Sequence, residues 1–263
     1  MPHYKFSDRL MFAIVMQDAD LCKQFIERLF PGKKVRKINM LTTEKTIING
    51  LKSKSVRLDV MFENDKTFYD IEMQVTEEKS IAKRARYYHS SMDTQTLKRG
   101  EKYDKLKKSY VIFICLFDPF GLGEPVYQFE MYDRNLDLKM NDESFTIMLD
   151  VNCPEGKIPK RLEAFFDYVK DERVADGDEF ISSIHEKVEK VNRDAEVIKI
   201  MTLQEDMDMR KEWALEDQRN EIAQKLKSMG IPAEQIAEAT GLTIEEIEGT
   251  EEADEIDEIN DLD

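Results

Sequence analysis

Apolar and polar residues alternate with a period of two from Val56 to Phe62 and again from Phe68 to Val75, which predicts two neighbouring β-strands. In the first, Val56, Leu58, Val60 and Phe62 form one row, while Arg57, Asp59, Met61 and Glu63 form the other; this is the pattern of a half-buried strand. In the second, Tyr69, Ile71, Met73 and Val75 form the apolar row, and Phe68, Asp70, Glu72 and Gln74 the opposite one. Between them Asn64-Asp65-Lys66-Thr67 is rich in turn formers. A hairpin centred between Asp65 and Lys66 sets Asp59 directly across from Glu72, with Cβ atoms roughly 4.5 to 5.5 Å apart.

The rest of the chain alternates helical and strand periods. Ser7 or Asp8 can cap a helix through Leu10, Met11, Ile14 and Val15, and Asp20 can start a second carrying Leu21, Phe25, Ile26 and Leu29, which Pro31-Gly32 ends. Strand-like segments follow around Val35 to Met40 and Thr46 to Leu51. Thr76 with Glu77 and Glu78 marks a helix start immediately after Gln74, its apolar stripe Ile81, Ala85, Tyr88 and Met92 and its stop Gly100. Tyr110 to Phe117 is a continuous apolar run that predicts a strand covered on both faces, and Val126 to Tyr132 and Phe145 to Val151 predict two more. Hairpin, helix and buried strand in this order imply an α/β architecture, a mixed sheet flanked by helices, over residues 1–155.

Beyond Pro159 the pattern is helical. Leu162 to Val169 forms one helix, and Glu179 to Met229, free of Pro and Gly, is either broken or an extended arm, so that 156–229 reads as a helical extension. Residues 230–248 resemble a small helix-turn-helix-like unit, and 249–263 read as an acidic disordered tail. The glutamates of the small unit repel phosphate, which favours helical packing or self-association there over DNA binding.

Charge changes this picture more than composition does. With 41% hydrophobic residues, the 263-residue chain can bury a core, and no apolar run approaches the length of a membrane span. The first residues lack the apolar segment of a secretory signal, so the expected location is cytoplasmic. Cys22, Cys115 and Cys153 are too scattered for a zinc or disulfide framework and read as reduced core residues. The net charge of −16 is concentrated: 11 acids and no bases lie between Glu245 and Asp263. Segments 33–57 and 79–108 each carry +7 and bracket the Asp59/Glu72 pair, a plausible phosphate footprint.

Two facing carboxylates repel unless a proton or cation lies between them, and a hard ion such as Mg²⁺ suits that gap. Asp59 and Glu72 would hold it. Gln74 can orient a water or ligate through its carbonyl but supplies no positive charge. Arg57, Lys83, Arg84 and Arg86 are candidates for phosphate contact, and Tyr87 for a hydrogen bond to phosphate.

Several spaced segments resemble one family. Val-Arg-Leu-Asp59-Val, Tyr-Asp-Ile-Glu72-Met-Gln74, Arg84-Ala-Arg-Tyr87-Tyr88 and Lys-Ser-Tyr-Val-Ile-Phe-Ile-Cys-Leu-Phe-Asp-Pro-Phe are similar to motifs of the PD-(D/E)XK nuclease family transposases, the Rpn-like, recombination-promoting nucleases of bacteria. The resemblance spans most of residues 5–155. It implies a restriction-endonuclease-like core with a central mixed sheet flanked by helices, and Mg²⁺- or Mn²⁺-dependent DNA cleavage associated with recombination or mobile elements. It makes Asp59 the motif aspartate and Glu72 the motif glutamate, with Gln74 where the wider superfamily has lysine. Asp8 resembles the N-terminal helix acid of the family and either assists the metal or caps its helix. The missing lysine charge predicts weakened activity, although the Rpn-like group itself uses glutamine. The alternative is a catalytically inactive protein that binds DNA or forms homo-oligomers through its C-terminal helices on the same fold.

Overall fold

The hairpin that organises the sequence also organises the sheet. The computed structural model describes residues 2–41, 60–64 and 67–249. Within it β1 (Asn39–Met40) pairs antiparallel with β2 (Val60–Asn64), and β2 with β3 (Thr67–Gln74). Val60 lies opposite Ile71, Phe62 opposite Tyr69 and Asn64 opposite Thr67, the register of a hairpin centred between Asp65 and Lys66. Those two residues, Asp59 and the strand expected around Thr46 to Leu51 lie outside the described residues.

After β3 the chain forms α3 (Ile81–Thr96), the third helix after α1 (Arg9–Val15) and α2 (Ala19–Leu29), and returns as β4 (Lys108–Cys115), parallel to β3. Then come β5 (Val126–Phe129), a separate ribbon of β6 (Tyr132–Asp133) and β7 (Leu138–Lys139), and β8 (Ser144–Asp150). β8 lies parallel to β4 and β5 antiparallel to β8, so the main sheet is mixed, in the order β1-β2-β3-β4-β8-β5. The fold is α/β with helices on the sheet, as the order of periodicities predicts. The strand expected from Val126 to Tyr132 instead ends at Phe129, and Tyr132 pairs with Lys139 in the ribbon.

Each sheet face has its own apolar layer. On one, Phe68, Val111, Phe113, Cys115, Tyr127 and Met148 pack with the α3 stripe Ile81, Ala85, Tyr88 and Met92. On the other, Phe62, Tyr69, Tyr110 and Phe145 stack as a cross-strand ladder with centroids 5.0 to 5.3 Å apart, and Phe30 at the end of α2 packs on Tyr110 at 5.0 Å. Beyond this ladder α4 (Lys160–Asp171) and α5 (Glu179–Asn192) pack on α1 and α2 through Phe6, Phe25, Phe165, Tyr168 and Phe180. Cys22, Cys115 and Cys153 are free and buried, as expected of reduced core residues.

Two helix starts differ from expectation. Asp18, not Asp20, caps α2 by accepting from the amides of Asp20 and Leu21 at 2.8 and 3.2 Å. Helix α3 begins at Ile81, not directly after Gln74. The stretch between is held as a loop: Gln74 Nε2 donates to the Thr76 carbonyl at 2.7 Å, and the Glu78 carboxylate accepts from Ser80 Oγ at 2.5 Å and from Arg84. The Pro- and Gly-free stretch after Glu179 is both broken and extended: α5 ends at Asn192, and Asp194 accepts from the amides of Glu196 and Val197 to start α6 (Ala195–Ser228, 34 residues).

The chain forms two compact units, residues 1–200 and 201–263. In the second, α7 (Ala233–Thr240) and α8 (Ile244–Gly249) close with the end of α6 around Ala223, Ile236 and Ile247. Gly241, at φ 75°, provides the left-handed stop of α7. Thr243 and Glu246 then form a reciprocal capping box, the Thr243 amide donating to Glu246 Oε2 at 2.7 Å and the Glu246 amide to Thr243 Oγ1 at 3.2 Å. Residues 250–263, the bulk of the acidic tail, lie outside the described residues. Among the described residues no helix is long and apolar enough to cross a membrane.

Candidate functional site

Strand β3 carries Asp70, Glu72 and Gln74 on the face that α3 covers, and all three are buried, with Glu72 only 1% exposed. A carboxylate there is stable only with a cationic or hydrogen-bonding partner. Its partner comes from α3: Arg84 Nη2 lies 3.3 Å from Glu72 Oε2, and the Tyr88 hydroxyl donates to the same oxygen at 3.3 Å. Arg84 Nη1 also donates to Gln74 Oε1 at 2.8 Å and to Glu78, and Nη2 donates to the Tyr88 hydroxyl at 2.8 Å. The guanidinium sits over the rings of Tyr88 and Phe113, 5.4 and 5.6 Å from their centroids.

This geometry follows from helical and strand periods together. Glu72 pairs in register with Phe113, so the ring beside the acid floors the space into which Arg84 reaches. Arg84 and Tyr88, one turn apart, meet on the flank of α3 nearest β3. The remaining sequence-predicted phosphate ligands, Lys83, Arg86 and Tyr87, lie on the exposed stripe of the same helix, with Tyr87 55% exposed. The structure therefore separates Arg84, turned to the buried acid, from three residues turned to solvent. Asp59 and Arg57 lie outside the described residues; the last described pair of the hairpin is Val60 with Ile71.

Electrostatics match the contacts. Burial alone would raise the Glu78 carboxyl, but the Ser80 hydroxyl and the Arg84 guanidinium outweigh it and hold Glu78 below the usual carboxylate range. Burial would weaken the Arg84 proton, yet Glu78, Tyr88 and Glu72 bind it more strongly than usual. The Tyr88 hydroxyl is pushed up to about 12, first by burial and then by the Glu72 charge. Asp8 caps α1, its Oδ1 accepting from the amides of Leu10 and Met11 at 2.9 and 3.0 Å, and burial raises its carboxyl despite these bonds.

Sequence reasoning missed two partners and one acid. Glu78 counted as a helix-start acid and Tyr88 as an apolar stripe position, yet both hold Arg84. Spacing carried a partial signal, since Arg84 and Tyr88 are four apart and Glu78 six before Arg84. Asp150, in register with Cys115 and through it with Gln74, is a further buried acid at this end of the sheet. Its carboxyl is raised by burial, against the amide of Asn152 that donates to it at 2.9 Å. Among the described residues no group of three or more His, Cys, Asp or Glu side chains is arranged to hold a metal.

Matched against known families, residues 2–225 fit the description PD-(D/E)XK nuclease family transposase. The chain belongs to that family. The match spans the whole mixed sheet, its flanking helices and most of α6, and it places the chain in a nuclease-like or transposase-associated role. No curated protein and no solved structure matches the chain significantly. Gln74, two residues after the strand glutamate, is a neutral amide, and the cation beside it, Arg84, comes from α3.

On the same sheet face His89 bridges α3 to two strands, its Nδ1 2.7 Å from Ser109 Oγ and its Nε2 3.2 Å from Thr146 Oγ1. Burial lowers its pKa from 6.5 to about 4, against a smaller upward pull from Asp142. At pH 7 the ring is neutral in the folded and unfolded chain, and its contribution is fully present. As pH falls from 6.5 towards 4, the unfolded chain takes up a proton that the folded chain refuses, and stability drains by up to roughly 3 kcal/mol. Urea unfolding at pH 7 and pH 4.5 is expected to show this loss, and His89→Gln to remove most of it. An equal loss in both proteins would dismiss the assignment.

Proposed function

We propose that the protein is a metal-dependent DNA endonuclease, acting in the cytoplasm on phosphodiesters in recombination or at mobile elements. The observation that carries this reading is the buried Glu72 on β3, two residues from the Gln74 carbonyl and held by Arg84 from the neighbouring helix. These are oxygen donors, and they fit a hard divalent cation. Asp59, which immediately precedes β2 in the sequence, is the second carboxylate of this reading.

In this reading Asp59 and Glu72 hold Mg²⁺ or Mn²⁺, with Asp8 a further assisting acid. The ion, when bound, polarises the phosphoryl oxygen and lowers the pKa of the attacking water. Gln74 orients that water through its amide. Arg84, the one of these groups that is permanently charged, stabilises the charge developing on phosphate. Lys83, Arg86 and Tyr87 bind the DNA backbone from the exposed stripe of α3, together with Arg57. The exposed Leu203, Met207, Met209 and Trp213 on α6 support self-association through the C-terminal helices.

The test is plasmid nicking with Mg²⁺ or Mn²⁺ by the unaltered protein, Asp59→Ala and Glu72→Ala. Cleavage by the unaltered protein alone supports the site, and equal activity in all three sinks it. Binding without cleavage in all three favours the second reading, a DNA-binding protein on the nuclease fold, to which the Arg84 ion pair on Glu72 also lends support.

Neutralising the exposed stripe has its own expected result. Lys83→Ala with Arg86→Ala should weaken binding of every DNA sequence alike and lower the log–log salt slope by about 2. Unchanged affinity in a salt titration by fluorescence anisotropy would remove α3 from the DNA interface.

A further inference from the structure

We propose that Arg84 is an exchangeable counterion of Glu72: a divalent cation at Glu72 and Gln74 displaces it onto Glu78, and the same movement presents it to the scissile phosphate. The inference rests on the metal-dependent reading above and adds a coupling to it. Arg84 Nη2 contacts Glu72 Oε2 at 3.3 Å, and Nη1 contacts Gln74 Oε1 at 2.8 Å. These are the two oxygens on β3 that a hard cation would draw on. A guanidinium and a divalent ion are both positive and repel when they share such ligands.

Arg84 has a second anchor that the cation does not need. Glu78 accepts from Nη1 and lies in the loop before α3, where it is 31% exposed against 1% for Glu72. The Tyr88 ring and hydroxyl hold the other side of the guanidinium, with Nη2 and Nε 2.8 and 3.3 Å from the hydroxyl. Loss of the Glu72 contact therefore leaves Arg84 charged, bonded and turned towards solvent, where a phosphate oxygen would lie. Glu72 keeps the Tyr88 hydroxyl. The arrangement gives the site a mobile cation in the region where Gln74 supplies none.

The coupling is readable without DNA or turnover, by calorimetric titration of the full-length protein with Mn²⁺. Arg84→Met should tighten binding about tenfold, because the ion no longer competes with a guanidinium. Glu78→Gln should weaken it about threefold while Arg84 is present, because Arg84 then leans harder on Glu72, and should have almost no effect in the Arg84→Met background. An equal Glu78→Gln effect in both backgrounds, or no tightening in Arg84→Met, overturns the exchange. Arg84→Gln replaces Arg84→Met if the latter does not fold by near-UV circular dichroism. Glu72→Gln separates the two levels. If it leaves Mn²⁺ affinity unchanged, or if the unaltered protein binds no Mn²⁺, the site reading fails and the exchange with it. If it weakens binding tenfold or more while the cycle is additive, only the exchange fails.

Discussion

Glu72→Gln is expected to lower Mg²⁺-dependent nicking at least about a hundredfold while leaving the fold in place. The substitution keeps the volume of a side chain that is 1% exposed, and removes the negative charge that the proposed ion requires. The Arg84 guanidinium is not stranded by the change, because Glu78, Gln74 and Tyr88 still accept its hydrogens. Stability should therefore fall by no more than about 3 kcal/mol, the upper scale of one lost charged hydrogen bond. Glu72→Ala adds a cavity beside Phe113 and should cost more stability for a similar loss of cleavage. Parallel nicking and urea-unfolding measurements distinguish the two effects. A glutamine variant that cleaves like the unaltered protein would remove Glu72 from the chemistry, whatever its stability.

Phe113→Ala is expected to destabilise the protein by about 3–5 kcal/mol, the largest effect on folding among the residues near the site. Its ring is fully buried, stacks on Tyr88 with centroids 6.1 Å apart and lies beneath the Arg84 guanidinium. It also sits between Glu72 and Met148 in the parallel part of the sheet, where neighbouring strands limit collapse of the cavity. Phe113→Leu should recover most of the stability but little of the Arg84 geometry, so cleavage should remain low when folding is restored. Chemical denaturation of both variants checks the first expectation. A loss below about 1 kcal/mol for alanine would mean that the layer between sheet and helix repacks freely.

The two predictions depend on different amounts of tertiary information. The face on which Glu72 lies is legible from alternation along one strand, because a strand repeats every two residues and sets Glu72 and Gln74 on one face whatever surrounds it. The core role of Phe113 is half legible. The apolar run from Tyr110 shows a strand covered on both faces, but not which neighbours its ring meets. The loop before α3 was the misleading stretch: Thr76, Glu77 and Glu78 have the composition of a helix start, yet Arg84 and Gln74 draw that segment out of the helix.

By itself, the sequence determined the hairpin register, the succession of strands and helices, the mixed α/β class and the face on which Glu72 and Gln74 lie. These follow from local periods and turn chemistry, which act over a few residues. Only the tertiary structure decided that Arg84 faces the acid rather than solvent, that Glu78 and Tyr88 hold it, and that α3 seals the polar face of β3. The physical reason is that an arginine has the same local preference on either flank of a helix. Its direction is settled by a buried carboxylate 12 residues earlier in the chain, which must find a counterion where water is excluded.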